Sequence, residues 1–270
     1  MLDGPVGFVP TMGYLHAGHL SLVETARRDC ASVVASVFVN PTQFAPNEDL
    51  SAYPRDLERD LELLYIAGAD LVLAPAASDE IYPAGYDTWI DVGGITERLE
   101  GPARPTHFRG VATVVGKLFN IVRPDAAYFG QKDAQQALVI RQLIRDLNFP
   151  VQLVVRPTVR ESDGLAMSSR NTYLQAGERR AATVLYRTLH RAQMLYEDGE
   201  RSADAIRGAM QTLLDAEPLA RPQYVSIADL ETLDEVGTID RPVLVSLAVR
   251  VGKTRLIDNL ILPRGEEIRA

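Results

Sequence analysis

The sequence predicts an α/β fold: a Rossmann-like open parallel sheet over residues 1–158, followed by a smaller α+β domain over residues 159–270. Three observations predict it. In the first half, short apolar runs alternate with helical stretches of about 10–15 residues, the signature of βαβ units. The run SVVASVFV at 32–39 is nearly all β-branched or small residues, as expected of a strand covered on both faces. After about residue 158 the texture changes to two long helical patterns and then three strand-like runs, which suits a separate α+β layer.

Taken in order, residues 6–9 form a short strand-like run, and residues 18–29 carry helical spacing through Leu20, Val23 and Ala26. Residues 32–39, SVVASVFV, form the next buried strand. A loop rich in Pro and Asn follows over 40–53. Pro54 then marks a helix start, with Leu57, Leu61, Leu64 and Ile66 as its stripe and Gly68 as its end. Residues 69–74 are a strand, 109–122 a helix, 126–129 a strand, 134–147 a helix and 151–155 a strand. In the second half, residues 176–198 and 202–216 read as helices, and 224–228, 243–249 and 255–262 as strands.

Bulk composition narrows the function. A net charge of −8 argues against a general nucleic-acid binder, which needs a basic footprint. No apolar run approaches the length of a membrane helix, and the start MLDGPVGFVPTMG lacks the basic and apolar regions of a signal peptide. One cysteine, Cys30, excludes an intrachain disulfide and suits a reducing, cytoplasmic setting. Lys117, Lys132 and Lys253 are the only lysines, so a compact ammonium is a candidate phosphate partner at these positions.

Four stretches carry chemistry. PTMGYLHAGH, residues 10–19, follows a strand and opens a helix, where ligands of open α/β sheets bind. Gly13 and Gly18 permit close backbone approach, and the helix start offers N–H groups to a phosphate. His16 and His19 are spaced to face one phosphate and to stabilise charge on it, although incidental turn residues would give the same letters. GQKDAQQ, residues 130–136, repeats the strand-to-helix context. Lys132 suits phosphate oxygens, Asp133 a ribose hydroxyl or a helix cap, and Gln135 and Gln136 neutral hydrogen bonds; a plain helix start is equally compatible. GLAMSSRN, residues 164–171, offers hydroxyls and a guanidinium as an anion clamp able to close over a nucleotide, or forms a surface turn. In VFVNPTQF, residues 37–44, Asn40 and Gln43 are uncharged and Phe44 supplies an apolar wall, as a small hydroxy acid requires; an Asn-Pro turn is the plainer alternative. Asp56, Glu58 and Asp60 read as a solvated helix face, with one of them able to reach a magnesium-bound phosphate. P-loop, G-x-S-x-G and zinc-ligand patterns are absent from the sequence.

In this order and spacing the four stretches, with YPRDLERD at 53–60, HFRGVATVV at 107–115, PTVRESDGLAMSSRN at 157–171 and RLIDN at 255–259, resemble the pantothenate synthetase (pantoate–β-alanine ligase) family of HIGH-type nucleotidyltransferases. The resemblance spans nearly the whole chain. It implies that ATP and pantoate give pantoyl-adenylate and pyrophosphate, and that β-alanine then gives pantothenate and AMP. Carried over by motif, Met12, Gly13, Tyr14, Leu15, His16, Ala17, Gly18 and His19 line ATP, together with Gly130, Gln131, Lys132, Asp133, Val159, Met167, Ser168, Ser169 and Arg170. Gln43 and Gln136 hold pantoate, and Gln43 also borders β-alanine. His16, His19, Lys132 and Arg170 are the expected catalytic groups, His19 foremost. Magnesium, the cytoplasm and a homodimer are implied with them, and no magnesium ligand is assigned.

Two departures stand out. The family usually carries a further strand-and-helix segment ahead of the first strand, so an edge element is expected to be missing here, or the start to be assigned late. Position 131 is Gln where the family more often has an acid, and its backbone is expected to matter more than its side chain. The rival readings are another HIGH-type nucleotidyltransferase and a non-catalytic nucleotide sensor.

Overall fold

The structure is a computed structural model that describes residues 4–45 and 48–268. The opening three residues of the stretch read for a signal peptide, and positions 46–47 of the predicted loop, lie outside the described residues. By its internal contacts the chain divides into two compact units. One comprises the chain up to Gly130 with Gln135–Arg156, the other Gln131–Ala134 with Pro157–Ile268.

The first unit holds β1 (Val6–Thr11), α1 (Ala17–Asp29), β2 (Ser32–Val37), α2 (Leu57–Ala67), β3 (Leu71–Leu73), α3 (Glu100–Ala103), α4 (His107–Val122), β4 (Ala126–Gly130), α5 (Ala134–Asp146) and β5 (Gln152–Arg156). Its strands lie in the order β3-β2-β1-β4-β5, and every neighbouring pair is parallel. Successive strand residues point to opposite faces, and both faces are buried. Phe8, Val34 and Ala127 pack with Val111, Val115, Leu118 and Ile140 of α4 and α5. Their neighbours Val9, Val33 and Ala126 pack with Val23, Ala26 and Leu64 of α1 and α2. This double burial is why the strands read as unbroken apolar runs. Winding reverses between β1 and β4, the switch point at whose carboxyl edge open α/β sheets bind ligands.

The second unit contains α6 (Ala176–Ala181), α7 (Val184–Glu197), α8 (Ala203–Asp215), β6 (Ala220–Asp229), β7 (Val243–Val251) and β8 (Thr254–Leu262). The three strands form an antiparallel sheet in the order β6-β7-β8. Leu185 and Leu189 of α7 and Ile206, Met210 and Leu214 of α8 pack against its Ile227, Val245, Leu247 and Val249.

The α/β class is as predicted; α3 has no counterpart in the sequence reading, and three predicted elements differ. The single helix expected over 176–198 is broken at 182–183, where Thr183 N turns to the Arg180 carbonyl three residues back at 3.3 Å. The second helix does not start at Pro54; Asp56 is its N-cap, accepting from Arg59 N, and Gly68 ends it at φ 97°. The strand expected over 69–74 shrinks to three residues at the sheet edge.

Candidate active site

At the carboxyl edge of the parallel sheet the ends of β1, β2 and β4 lead into the stretches at 10–19, 37–44 and 130–136. After β1, Thr11 Oγ1 donates to Ser36 O at 2.6 Å and accepts from Gly13 N at 3.2 Å, which starts the turn. Gly13 has φ 81°, and a β-carbon there would lie 2.9 Å from both Asp60 Oδ2 and Val37 Cγ1. Tyr14 follows at φ 49°. A non-glycine residue there needs fixing by its surroundings, and the Asp60 carboxylate supplies it. Tyr14 N donates to Asp60 Oδ2 at 2.6 Å and Leu15 N to Oδ1 at 2.8 Å. Asp60 is 1% exposed, so its expected place on a solvated face is corrected: it reaches across from α2 and clamps the loop. Arg59 adds a bond to Leu15 O at 3.0 Å, with its guanidinium 5.4 Å from the Tyr14 ring centre. Glu58 is exposed, as expected of a solvated face.

The two histidines form the start of α1. His16 is the N-cap, its Nδ1 accepting from Gly18 N at 3.2 Å, while His19 Nδ1 accepts from His16 N at 3.4 Å. This is a capping box built from imidazoles. With both Nδ1 atoms accepting, each neutral ring carries its proton on Nε2, so each has a donor on its far edge. The ring centres are 4.0 Å apart, which brings the two predicted phosphate partners together. The first turn of α1 holds no acidic residue, so the positive end of its dipole is uncompensated by side chains of its own turn. Ala17 and Gly18 lie on that turn. A cavity of about 260 Å³ borders the loop, lined by Met12, Gly13, Phe38, Asp56 and Asp60 among others.

After β2, the 3-10 turn Pro41–Gln43 carries Gln43, which is buried at 7% exposure. Its Oε1 accepts from Asn40 Nδ2 at 3.1 Å, and its Nε2 faces Met12 Sδ at 3.1 Å. The candidate acid-binding amide therefore touches the candidate nucleotide loop. Phe44 is buried edge-on to Tyr53. Nearby, Glu48 is pressed upward in pKa by burial, but its hydrogen bonds to Arg104 win and hold it below its ordinary 4.5. After β4, Gln136 is half-buried on the first turn of α5. Its neighbour Gln135 is buried and structural, donating to Ile95 O and Arg98 O at 2.7 and 2.8 Å.

Within the second unit, the turn 131–133 is held by β8. Asn259 Nδ2 donates to Gln131 O at 3.0 Å and Lys132 O at 2.9 Å. The Gln131 side chain in turn reaches Asn259 Oδ1 at 3.3 Å. Lys132 Nζ lies 3.6 Å from the carboxylate of Asp133, which is itself exposed. Residues 159–167 form a hairpin: Met167 N donates to Val159 O at 3.0 Å and Glu161 N to Leu165 O at 2.8 Å. Val159 and Met167 are thus neighbours across its open end. Gly164 turns the hairpin at φ 91°, and a β-carbon there would sit 2.0 Å from the Tyr186 ring. Ser168 caps the following 3-10 turn, accepting from Arg170 N at 3.3 Å, with Ser169 buried behind it. Asn171 ties turn to hairpin through Ala166 O at 3.1 Å and Glu161 Oε1 at 3.0 Å. Arg160 grips the buried Asp258 of β8 with two bonds of 2.6 and 3.0 Å.

Asp60, Asp258 and Asn259 are residues to which the sequence reading assigned no such roles. The available signal was a pair of polar residues, Asp258 and Asn259, inside an apolar strand pattern, since buried polar side chains there need partners.

The sequence model of the Pantoate-beta-alanine ligase family matches residues 2–261. A pantothenate synthetase of Herpetosiphon aurantiacus is 62% identical over 258 residues, covering 95% of this chain and 93% of that protein. Another, of Roseiflexus castenholzii, is also 62% identical, covering 97% and 94%. The crystal structure of pantothenate synthetase from Thermus thermophilus superposes with a TM-score of 0.93 at 52% identity, over 96% of this chain and 94% of that one. The pantoate-beta-alanine ligase of Francisella tularensis, crystallised with beta-gamma ATP and beta-alanine, gives 0.78 at 35% identity, over 96% and 90%. The chain belongs to the pantoate–β-alanine ligase family.

Proposed function

We infer that this chain is an ATP-dependent carbon–nitrogen ligase that condenses pantoate with β-alanine to give pantothenate, AMP and pyrophosphate. The observation that carries the reading is the clamped loop at the sheet switch point, with His16 and His19 side by side, ring centres 4.0 Å apart, at the start of α1 and Gln43 touching Met12. In the first step a pantoate carboxylate oxygen bonds to the α-phosphorus of ATP and pyrophosphate leaves in line. Alignment and charge neutralisation dominate such a step. The Nε2–H edges of His16 and His19, with Lys132 and Arg170, are the proposed stabilisers, His19 first among them. In the second step the amine of β-alanine bonds to the acyl carbon, the carbon–oxygen bond to phosphate breaks, AMP leaves, and the nitrogen sheds its surplus protons to solvent.

ATP is assigned to Met12, Gly13, Tyr14, Leu15, His16, Ala17, Gly18 and His19, to Gly130–Asp133, and to Val159, Met167, Ser168, Ser169 and Arg170. Pantoate is assigned to Gln43 and Gln136, and β-alanine to the Gln43 border. Magnesium is proposed to arrive with the triphosphate, supplying charge neutralisation on its oxygens. Among the described residues no cluster of three His, Cys, Asp or Glu could hold a bare ion. A hard ion that keeps its waters and takes phosphate oxygens suits such a donor set. A homodimer in the cytoplasm completes the proposal. Exposed Tyr65, Ile66 and Leu71 on α2 and the edge strand β3 support pairing of copies, and sedimentation would read it. Among the described residues no helix is long and apolar enough to cross a membrane.

The test is the nucleotide product. Incubation with ATP, pantoate and β-alanine should yield AMP and pantothenate in equal amounts. ADP in place of AMP would overturn activation through an adenylate, and no turnover with these acids would return the choice to the rival nucleotidyltransferase or sensor.

A further inference from the structure

We propose that the segment His107–Gly110 is a cradle that fixes the Gln43 turn, with His107 a positioning residue for pantoate. The proposal rests on the reading of Gln43 as a pantoate ligand. HFRGVATVV is the conspicuous motif for which the reaction itself supplies no role, and its first four residues account for how Gln43 is held.

His107 is buried, 7% exposed, at the first position of α4. Its Nδ1 lies 2.9 Å from the Gln43 carbonyl oxygen, which can only accept, so Nδ1 carries the proton. Its Nε2, 3.1 Å from Arg104 Nη1, must then accept from the guanidinium. An arginine donor on Nε2 and a carbonyl on Nδ1 select one neutral tautomer. Arg104 is anchored in its turn by the Glu48 carboxylate, with Nη2 at 2.8 Å from Oε2 and Nε on Oε1. The chain Glu48–Arg104–His107 therefore ends on the main chain of Gln43, and its partly buried charges pair with each other.

One turn further along α4, Gly110 meets the same turn. A β-carbon at Gly110 would lie 2.5 Å from Thr42 O and 2.6 Å from Gln43 N, so α4 and the turn are in backbone contact. The Gly110 carbonyl accepts from Asn40 Nδ2 at 3.1 Å, and that nitrogen also donates to Gln43 Oε1. Asn40 is oriented by Tyr82 OH, Thr42 N and Thr42 Oγ1, all donating to its Oδ1. Because Gln43 Oε1 is an acceptor in this network, its Nε2–H₂ is the edge left to face Met12 and a ligand oxygen. His107 fixes the main chain and Asn40 the amide of one residue. A small acid gains most from such a fixed donor, since ordering it on binding would cost affinity.

The deciding experiment compares His107→Asn with His107→Gln in steady-state synthesis and in pantoate-dependent pyrophosphate exchange, with Gln43→Ala as reference. The Asn amide nitrogen lies two bonds from Cβ, where Nδ1 does; the Gln amide nitrogen lies three, where Nε2 does. His107→Gln should raise the KM for pantoate by about tenfold, the worth of one buried hydrogen bond, with the KM for ATP within about twofold. His107→Asn should recover it to within about threefold, because it keeps the donor to Gln43 O. Equal behaviour of the two variants, or an equal rise in both KM values, overturns the cradle. An unaltered pantoate KM in Gln43→Ala would instead sink the reading of Gln43 itself, and the proposal with it. Thermal unfolding of each variant separates a lost fold from a lost position.

Discussion

Asp60 shows how one carboxylate can set the geometry of a loop. Both its oxygens accept main-chain N–H groups, from Tyr14 and Leu15, and the residue itself is 1% exposed. Asp60→Asn keeps the shape but turns an amide NH₂ toward one of those donors, leaving it unsatisfied at a cost of about 1–3 kcal/mol. We expect a lower melting temperature together with a loss of adenylation that exceeds any loss of pantoate affinity; retention of full adenylation would show that the loop holds itself. His19→Ala removes both the proposed phosphate donor and the acceptor for His16 N. It should lower the rate of adenylate formation by about a hundredfold or more with the fold intact, as loss of an oxyanion donor does. Near-normal single-turnover adenylation by this variant would leave His19 only a capping role. Glu48 provides the pH test. Its folded pKa lies below 4.5, so the unfolded state binds the proton more readily and its contribution is complete above 4.5. That contribution is lost as pH falls through the lowered value. Glu48→Gln should flatten the loss of stability on acidification in this window, and an unchanged acid limb would mean that the Arg104 pair contributes nothing.

At the level of elements, much of the molecule was legible from local pattern, and the exceptions share a cause. The strands β1, β2 and β4 and the helix α1 announce themselves because double burial makes continuous apolar runs and because glycines punctuate the turn before α1. The same context made His16 and His19 readable as a pair. Asp60 was not readable, since the bonds that define it span about 46 residues and its own helix shows only charge around it. Asn259 acts across 127 residues on the Lys132 carbonyl, a relation no window of sequence contains. The break between α6 and α7 is a single i−3 main-chain bond, from Thr183 N to the Arg180 carbonyl, in a stretch whose apolar periodicity runs on across it. The hairpin of residues 159–167 is an element with a sharp test of its own. Gly164→Ala must place a β-carbon into the Tyr186 ring at positive φ, two penalties that should together destabilise the chain by about 3 kcal/mol or more. An unchanged melting temperature would contradict the packing described for this turn.

For the whole molecule, the central claim is that a family scaffold with 62% identical relatives here performs adenylation at the carboxyl edge of its parallel sheet. Of the proposed residues, His16, His19 and Gln43 belong to the first unit and Lys132, Val159, Met167 and Arg170 to the second. A partial reaction tests this more directly than overall synthesis, because it isolates the step these residues are assigned. The measurement is exchange of labelled pyrophosphate into ATP with pantoate present and β-alanine omitted. The account predicts rapid exchange that depends on pantoate and falls by about a hundredfold in His19→Ala. Exchange that ignores pantoate, or that appears only with a phosphorylated alcohol, would contradict it.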